Sequence, residues 1–143
     1  MDRPFSKILV AFDGSAGAQR ALEVALQIAR VSGADLHAVA VEAHLPHYGA
    51  TVGEVKEELE VERSEAATAL TEAQRLAGEA GVRLSTEVAA GHTASSIIEA
   101  AKAGDVDLIV IGHVGRSGVW GLLPGGAAER VSRHAPCSVL IVR

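Results

Sequence analysis

The sequence predicts an α/β protein with a single doubly wound sheet of five parallel strands and helices on both faces. Two observations lead to this fold class. Short apolar runs alternate along the chain with longer segments whose apolar residues recur at spacings of three and four. These longer segments supply the crossover connections that parallel strands require. The chain has 143 residues, of which 48% are hydrophobic, so residues 1–143 are assigned to one domain with one core.

The first strand and the first helix show the alternation most clearly. The run 8–12 is unbroken and apolar, as expected for a strand buried on both faces, and the polar turn 13–15 closes it. Apolar residues then recur at helical spacing over 18–29, and Gly33 ends the helix. Strand and helix together form one unit, which the chain repeats.

The remaining elements follow in the same order. Four further strands are predicted at 36–41, 84–88, 108–111 and 138–142. Three further helices are predicted between them, at about 55–80, 94–103 and 126–134. Residues 42–53 interrupt the alternation, because their proline and glycines disfavour a helix.

Charge and cysteine content exclude several classes of protein. The formal net charge of -5 gives no electrostatic footprint for nucleic acid or for an anionic membrane. Cys137 is the only cysteine, so one chain can build neither an internal disulfide nor a thiolate zinc cluster. The apolar run near the N-terminus is too short for a signal sequence or a membrane span. We therefore predict a cytoplasmic protein with no nucleic-acid partner and no membrane partner.

A series of glycines follows the fourth predicted strand. Gly112 and Gly115 come at its end, and nine residues later Gly125 and Gly126 stand directly before the last helix. Doubly wound sheets bind ligands beyond the carboxyl ends of their strands. Glycine lets backbone amides approach a ligand closely, and a helix N-terminus favours anions. The series therefore predicts a phosphate site.

Charged and hydroxyl side chains near the glycines favour the same ligand. Arg116 and Ser117 directly follow Gly115. From residue 115 to the last residue there are four arginines and one acidic residue. The local field is therefore positive, although the whole protein is acidic.

The two ends of the chain and the glycine series resemble a known family. Residues 7–15, KILVAFDGS, and residues 133–143, RHAPCSVLIVR, are similar to the opening and closing segments of universal stress proteins. The ATP-binding branch of that family carries a signature of Gly, two residues, Gly, nine residues, Gly, then Ser or Thr. Gly112, Gly115 and Gly125 fit it. The resemblance implies a nucleotide-binding sheet of the adenine nucleotide alpha hydrolase-like kind.

The resemblance also implies a ligand and its contacts. The ligand is ATP or AMP, with Mg²⁺ held through the nucleotide by Asp13. At the adenosine end the resemblance places Ala11, Asp13 and Val41. At the ribose and phosphate end it places Gly112, Gly115, Arg116, Ser117, Gly125, Gly126 and Ala127. A carboxylate such as that of Asp13 can accept from a ribose hydroxyl or bind a divalent ion.

Gly126 departs from the signature, because the ATP-binding branch has a hydroxyl residue there that contacts phosphate. Loss of one neutral hydrogen bond costs about 1 kcal/mol, so weakened binding of triphosphate is expected. Structural roles remain open for the same residues. Asp13 and Ser15 can cap the first helix, and the pair 125–126 can form a turn before the last one.

Several other polar residues receive structural interpretations. His44 and His47 lie three apart in the interrupting loop and are assigned to the surface, since little near them could support a metal. His37 lies in the middle of a strand and is assigned to the core or to a dimer contact. Cys137 precedes a buried strand and is interpreted as a small inert hydrophobe.

The predicted function is that of an adenine-nucleotide-binding stress-response and signalling module whose bound state changes its association with a protein partner. No catalytic residue is predicted, since the pattern places no Gly-Lys-Ser/Thr loop and no Ser/His/Asp set. The alternatives are a dimeric interaction protein with a vestigial site and a slow ATPase. A homodimer through the edge strand Ser138–Val142 is also predicted, because the resembled family commonly dimerises there.

Overall fold

Five strands form one sheet in the computed structural model, which describes residues 4–42, 51–113 and 126–143. The strands are β1 (Lys7–Ala11), β2 (Asp35–Glu42), β3 (Leu84–Ala90), β4 (Leu108–Gly112) and β5 (Ser138–Val142). Within the described residues four helices connect them, namely α1 (Ala16–Ser32), α2 (Val52–Glu79), α3 (Thr93–Ala103) and α4 (Ala127–His134). The predicted α/β fold class is confirmed.

The order of strands in the sheet is β3-β2-β1-β4-β5, and every neighbouring pair is parallel. The chain moves outward from β1 through β2 to β3, and then returns to the other side of β1 to add β4 and β5. The direction of winding therefore reverses between β1 and β4. Because each helix carries the chain back to start a new parallel strand, the helices begin at the carboxyl end of the sheet and finish at its amino end.

Each face of the sheet carries its own hydrophobic cluster. Ile8 and Val10 of β1 are buried with residues of α1 and α2 on one face. Leu9, between them, is buried with residues of α3 and α4 on the other face. Successive side chains of a strand point to opposite faces, so a strand covered on both faces needs an unbroken apolar run.

The start of α2 differs from the prediction. The helix begins at Val52, three residues before the predicted start at residue 55. Thr51 and Glu54 form a capping box there, in which each side chain accepts from the backbone N–H of the other residue. Gly53, interpreted above as part of the interruption, therefore lies in the first helical turn, since good capping outweighs its weak helix preference.

No helix in the described part of the chain combines the length and the apolar character that crossing a membrane requires.

Candidate functional site

The reversal of winding brings the ends of β1 and β4 together. These two strands pair directly, with Val10 of β1 in register with Val110 of β4. β1 ends at Ala11 and β4 ends at Gly112, while Asp13 lies two residues beyond β1. β2 flanks β1 on its other side and carries the half-buried Val41 near its own end. Four of the predicted site residues therefore lie at the carboxyl ends of three adjacent strands, where doubly wound sheets bind ligands.

Asp13 holds the turn between β1 and α1. Its Oδ1 accepts from the backbone N–H of Ser15 at 2.9 Å. Ser15 in turn caps α1, because its Oγ accepts from the N–H of Ala18 at 3.1 Å. Gly14 between them has a φ of +83°, which glycine adopts without strain. The structural role considered for Asp13 and Ser15 is thus confirmed, and a carboxylate has lone pairs for further donors.

Packing requires a glycine at residue 112, whether or not a ligand binds there. A Cβ placed on Gly112 would lie 2.8 Å from both the carbonyl carbon and the carbonyl oxygen of Gly17. The backbone at the start of α1 therefore approaches the end of β4 too closely for any side chain. The first glycine of the signature has a structural reason of its own, which the sequence spacing does not reveal.

The residue before α4, Gly126, has no side chain with which to cap the helix. Gly126 is the N-cap, with extended backbone at φ -70° and ψ 156°, and Ala127 is the first helical residue. Glycine has no side chain to accept from the N–H groups of the first turn, whereas Ser15 and Thr51 cap α1 and α2. A phosphate oxygen is the kind of acceptor that fits such a helix start.

One acidic side chain lies in the first turn of α4. Glu129 pairs with Arg133 one turn further along, so its charge is partly balanced within the helix. The helix is anchored beneath the sheet by Ala128 and Val131, which are buried in the same cluster as Ile109 and Ile111 of β4. The start of α4 and the end of β4 are therefore parts of one packed unit.

Four predicted site residues, Gly115, Arg116, Ser117 and Gly125, lie outside the described residues. His44 and His47 lie outside them as well. The structure thus describes six of the ten, four at the strand ends and two at the start of α4.

Glu42 is a buried carboxylate at this end of the sheet that the predicted site did not include. It ends β2, its residue is 6% exposed, and its backbone carbonyl accepts from the N–H of Gly91 at 3.0 Å. In the sequence, the acidic residue that follows the apolar run 36–41 could have drawn attention to this buried carboxylate. Sequence alone did not separate it from the solvated acids that usually follow strands.

The described residues contain no cluster of three or more His, Cys, Asp and Glu side chains suited to a metal ion. A divalent ion at Asp13 would therefore depend on oxygens of the ligand itself.

Cys137 is a free cysteine at the start of β5. It is half-buried and packs against the cluster beneath α3 and α4. Burial raises the pKa of its thiol, and the nearby Asp107 carboxylate raises that pKa further. A thiol with a raised pKa is a poor nucleophile at neutral pH, in agreement with the interpretation of Cys137 as an inert hydrophobe.

Comparisons with known proteins agree with this architecture. The model of the universal stress protein family matches residues 4–143. A universal stress protein of Methanocaldococcus jannaschii is 34% identical over 140 residues, which cover 97% of this chain and 82% of that protein.

Two solved structures extend the agreement to three dimensions. The chain superposes with a TM-score of 0.85 and 31% identity on a universal stress protein from Lactobacillus plantarum, covering 99% of this chain and 100% of the other. It also superposes, with a TM-score of 0.76 and 29% identity, on a universal stress protein solved in complex with cAMP, covering 97% of both chains.

Proposed function

The chain belongs to the universal stress protein family, and on that premise we propose that it is a cytoplasmic adenine-nucleotide-binding module of the stress response. Its bound state would decide which protein partner it associates with. The observation that carries this proposal is the reversal of winding between β1 and β4, which brings the ends of these strands, near Asp13 and Gly112, side by side at the place where doubly wound sheets bind ligands. A relative with 29% identity was solved with cAMP, which supports the same class of ligand.

The proposed arrangement follows the chemistry of the two halves of the ligand. Half-buried Ala11 and Val41 offer an apolar wall and backbone groups to a purine, and the Asp13 carboxylate accepts from the ribose hydroxyls. The start of α4 at Gly126 and Ala127 receives phosphate, together with Gly112 and the proposed contacts outside the described residues, Gly115, Arg116, Ser117 and Gly125. Mg²⁺ enters with ATP rather than through a preformed metal site.

A second candidate function is an interaction protein of the same fold with a vestigial site. Two observations favour it. Gly112 is required by its contact with Gly17 whether or not a ligand binds, and Gly126 lacks the hydroxyl of the ATP-binding signature. The two candidates differ in one measurable property, which is the binding of nucleotide.

Native mass spectrometry of the undenatured, purified protein distinguishes the two candidate functions. The proposed function predicts a mass increment matching an adenine nucleotide, either after purification or after addition of ATP or AMP. GTP at the same concentration serves as the control for nonspecific attachment of phosphate compounds. Absence of any increment with ATP and AMP would leave the interaction protein as the function.

We further propose a homodimer through β5. Among the described residues this strand lies at an edge of the sheet and pairs with β4 alone, and its Leu140 is 37% exposed. Leu140→Lys should convert the dimer to a monomer in sedimentation velocity. Val88→Lys is the matched control, because Val88 is 41% exposed on β3 at the opposite edge. A dimer that persists in Leu140→Lys would place the interface elsewhere.

A further inference from the structure

Three polar side chains meet across β2 and β3, toward the amino end of the sheet. The register of the two strands places His37 opposite Ser85. His37 Nδ1 lies 2.6 Å from Ser85 Oγ, and His37 Nε2 lies 3.0 Å from Glu87 Oε1. We refer to His37, Ser85 and Glu87 as the β2–β3 cluster. The His37 side chain is 32% exposed and belongs to neither hydrophobic cluster, so it does not lie in the core, while a dimer contact stays a prediction.

The geometry of the three groups suits one arrangement of protons, in which the Glu87 carboxylate is ionised and the imidazole is neutral. An ionised carboxylate can only accept, so the Nε2 atom facing Glu87 carries a proton. In the neutral imidazole Nδ1 is then the acceptor, and the Ser85 hydroxyl donates to it. The backbone carbonyl of Leu36 competes for that hydroxyl proton, but at 3.4 Å from Oγ it is the weaker acceptor. The imidazole is therefore placed to act as a base toward the serine.

The cluster borders a cleft of about 360 Å³. The residues that line the cleft include Ala100 and Ala103 of α3 and Val106 beyond it, and the oppositely charged Lys7 and Asp35 line it as well. The cleft is open to solvent on one side, and its volume lies toward the lower end of the range for small-molecule sites.

We propose that the β2–β3 cluster is a serine-nucleophile site that transfers acyl groups from small carboxylic esters with short apolar acyl chains. A nucleophile within hydrogen-bond reach of a base, with the base held by a third group, is the arrangement that activates a serine hydroxyl. This site does not depend on the proposed nucleotide function, because it lies on other residues toward the opposite end of the sheet.

The reaction balances without any further reactant except water. Ser85 Oγ forms a bond to the ester carbonyl carbon as its proton passes to His37 Nδ1. The bond between that carbon and the alkoxy oxygen then breaks, and the leaving oxygen takes the proton from His37. Water adds to the carbonyl carbon of the acylated Ser85 as its proton passes to His37. The bond between that carbon and Oγ then breaks, His37 returns the proton to Oγ, and the carboxylic acid leaves.

Charged groups near the serine have separate roles in these steps. Glu87 orients the imidazole and stabilises its protonated form, so it is a positioning residue. Lys7 and Asp35, which lie opposite each other in the register of β1 and β2, bring charges of opposite sign to the same cleft.

Covalent labelling tests the proposal on the full chain. A fluorophosphonate probe should add once, and peptide mapping should place the adduct on Ser85. Hydrolysis of p-nitrophenyl butyrate should fall to the buffer background in Ser85→Ala and by roughly 10²–10⁴-fold in His37→Gln. Glu87→Gln should lower kcat with little change in KM, which a purely structural role would not do. Ser132→Ala removes an exposed serine from α4 and should behave as the wild type.

The labelling experiment tests the proposal even if a variant fails to fold, because it uses the wild-type protein. A wild-type chain that carries no adduct on Ser85 would overturn the proposal. Folded Ser85→Ala protein that hydrolyses the ester as fast as the wild type would also overturn it.

Discussion

The two ends of the sheet are built from different kinds of contact. At the carboxyl end the candidate nucleotide site relies on backbone geometry, in the close approach of Gly112 to Gly17 and in a helix start without a capping side chain. At the amino end, side chains from separate strands bond to one another, as in the contact of His37 with Ser85. The first kind of site can be recognised in the sequence from the spacing of its glycines. The second kind becomes visible only when the strand register is known.

A second contact toward the amino end follows the same principle. Asp107, just before β4, accepts from both the backbone N–H and the hydroxyl of Ser6 at 2.9 Å, and from the N–H of Lys7 at 3.2 Å. These bonds join the starts of β1 and β4 across about a hundred residues of sequence. Substitutions at the two ends should therefore have different consequences, and the following predictions are arranged by the size of the expected effect.

The largest effect is expected for Gly112→Ala at the carboxyl end. The new Cβ would meet the backbone of Gly17 at 2.8 Å, and neither backbone can move without disturbing β4 or α1. Overpacking of this kind should lower the free energy of unfolding by about 3 kcal/mol, measured by urea denaturation. Gly78→Ala is the matched control, because a Cβ there meets nothing within 4 Å and should leave stability unchanged or raise it. Equal stability of the two variants would refute the packing account of Gly112.

Gly126→Ser should strengthen nucleotide binding at the carboxyl end of the sheet. The N-cap backbone is extended, which serine adopts readily, so the fold should be retained or stabilised. A hydrogen bond to a charged phosphate oxygen contributes about 1.5–3 kcal/mol, which corresponds to ATP binding on the order of ten- to a hundredfold tighter in calorimetry. ADP and AMP should gain less. Unchanged ATP affinity would favour the vestigial site.

A smaller effect is expected for Asp107→Asn at the amino end. Partial burial favours the neutral form of this carboxyl, but the bonds from Ser6 and Lys7 outweigh it and hold the pKa of Asp107 below its ordinary value. The carboxylate should therefore stabilise the protein fully above the ordinary carboxyl pKa and lose that contribution as the pH falls through its lowered folded pKa.

The measurement for Asp107 is urea denaturation of wild type and Asp107→Asn at several pH values. At pH 7 the variant should be less stable by about 1 kcal/mol, since a hydrogen-bonded charge is lost. The difference between the two proteins should shrink on acidification. A difference that grows toward low pH would contradict the assigned direction of the pKa shift.

The predictable part of the fold is the part encoded by local periodicity. Apolar runs such as 108–111 and helical spacing such as 18–29 give each described strand and helix in the predicted order. The start of α2 was misplaced because the capping box of Thr51 with Glu54 was overlooked beside Gly53. Even this error concerns a local signal that the sequence contains.

The candidate site was predictable only in part. The position of Gly112 was marked by the glycine spacing, but the need for a glycine arises from Gly17, which is far away in the sequence. The core interpretation of His37 was wrong because both of its partners come from β3. Contacts between distant segments depend on register and helix placement, which periodicity does not determine.

The central claim, that the carboxyl end binds an adenine nucleotide, is tested most directly by calorimetric titration of ATP and AMP into three proteins. These are the wild type, Asp13→Ala at the carboxyl end and Asp107→Asn at the amino end. We predict binding by the wild type, unchanged affinity in Asp107→Asn, and affinity weaker by about ten- to a hundredfold in Asp13→Ala, since a hydrogen bond to a charged group is lost. No binding by the wild type, or equal affinity in Asp13→Ala, would contradict the claim.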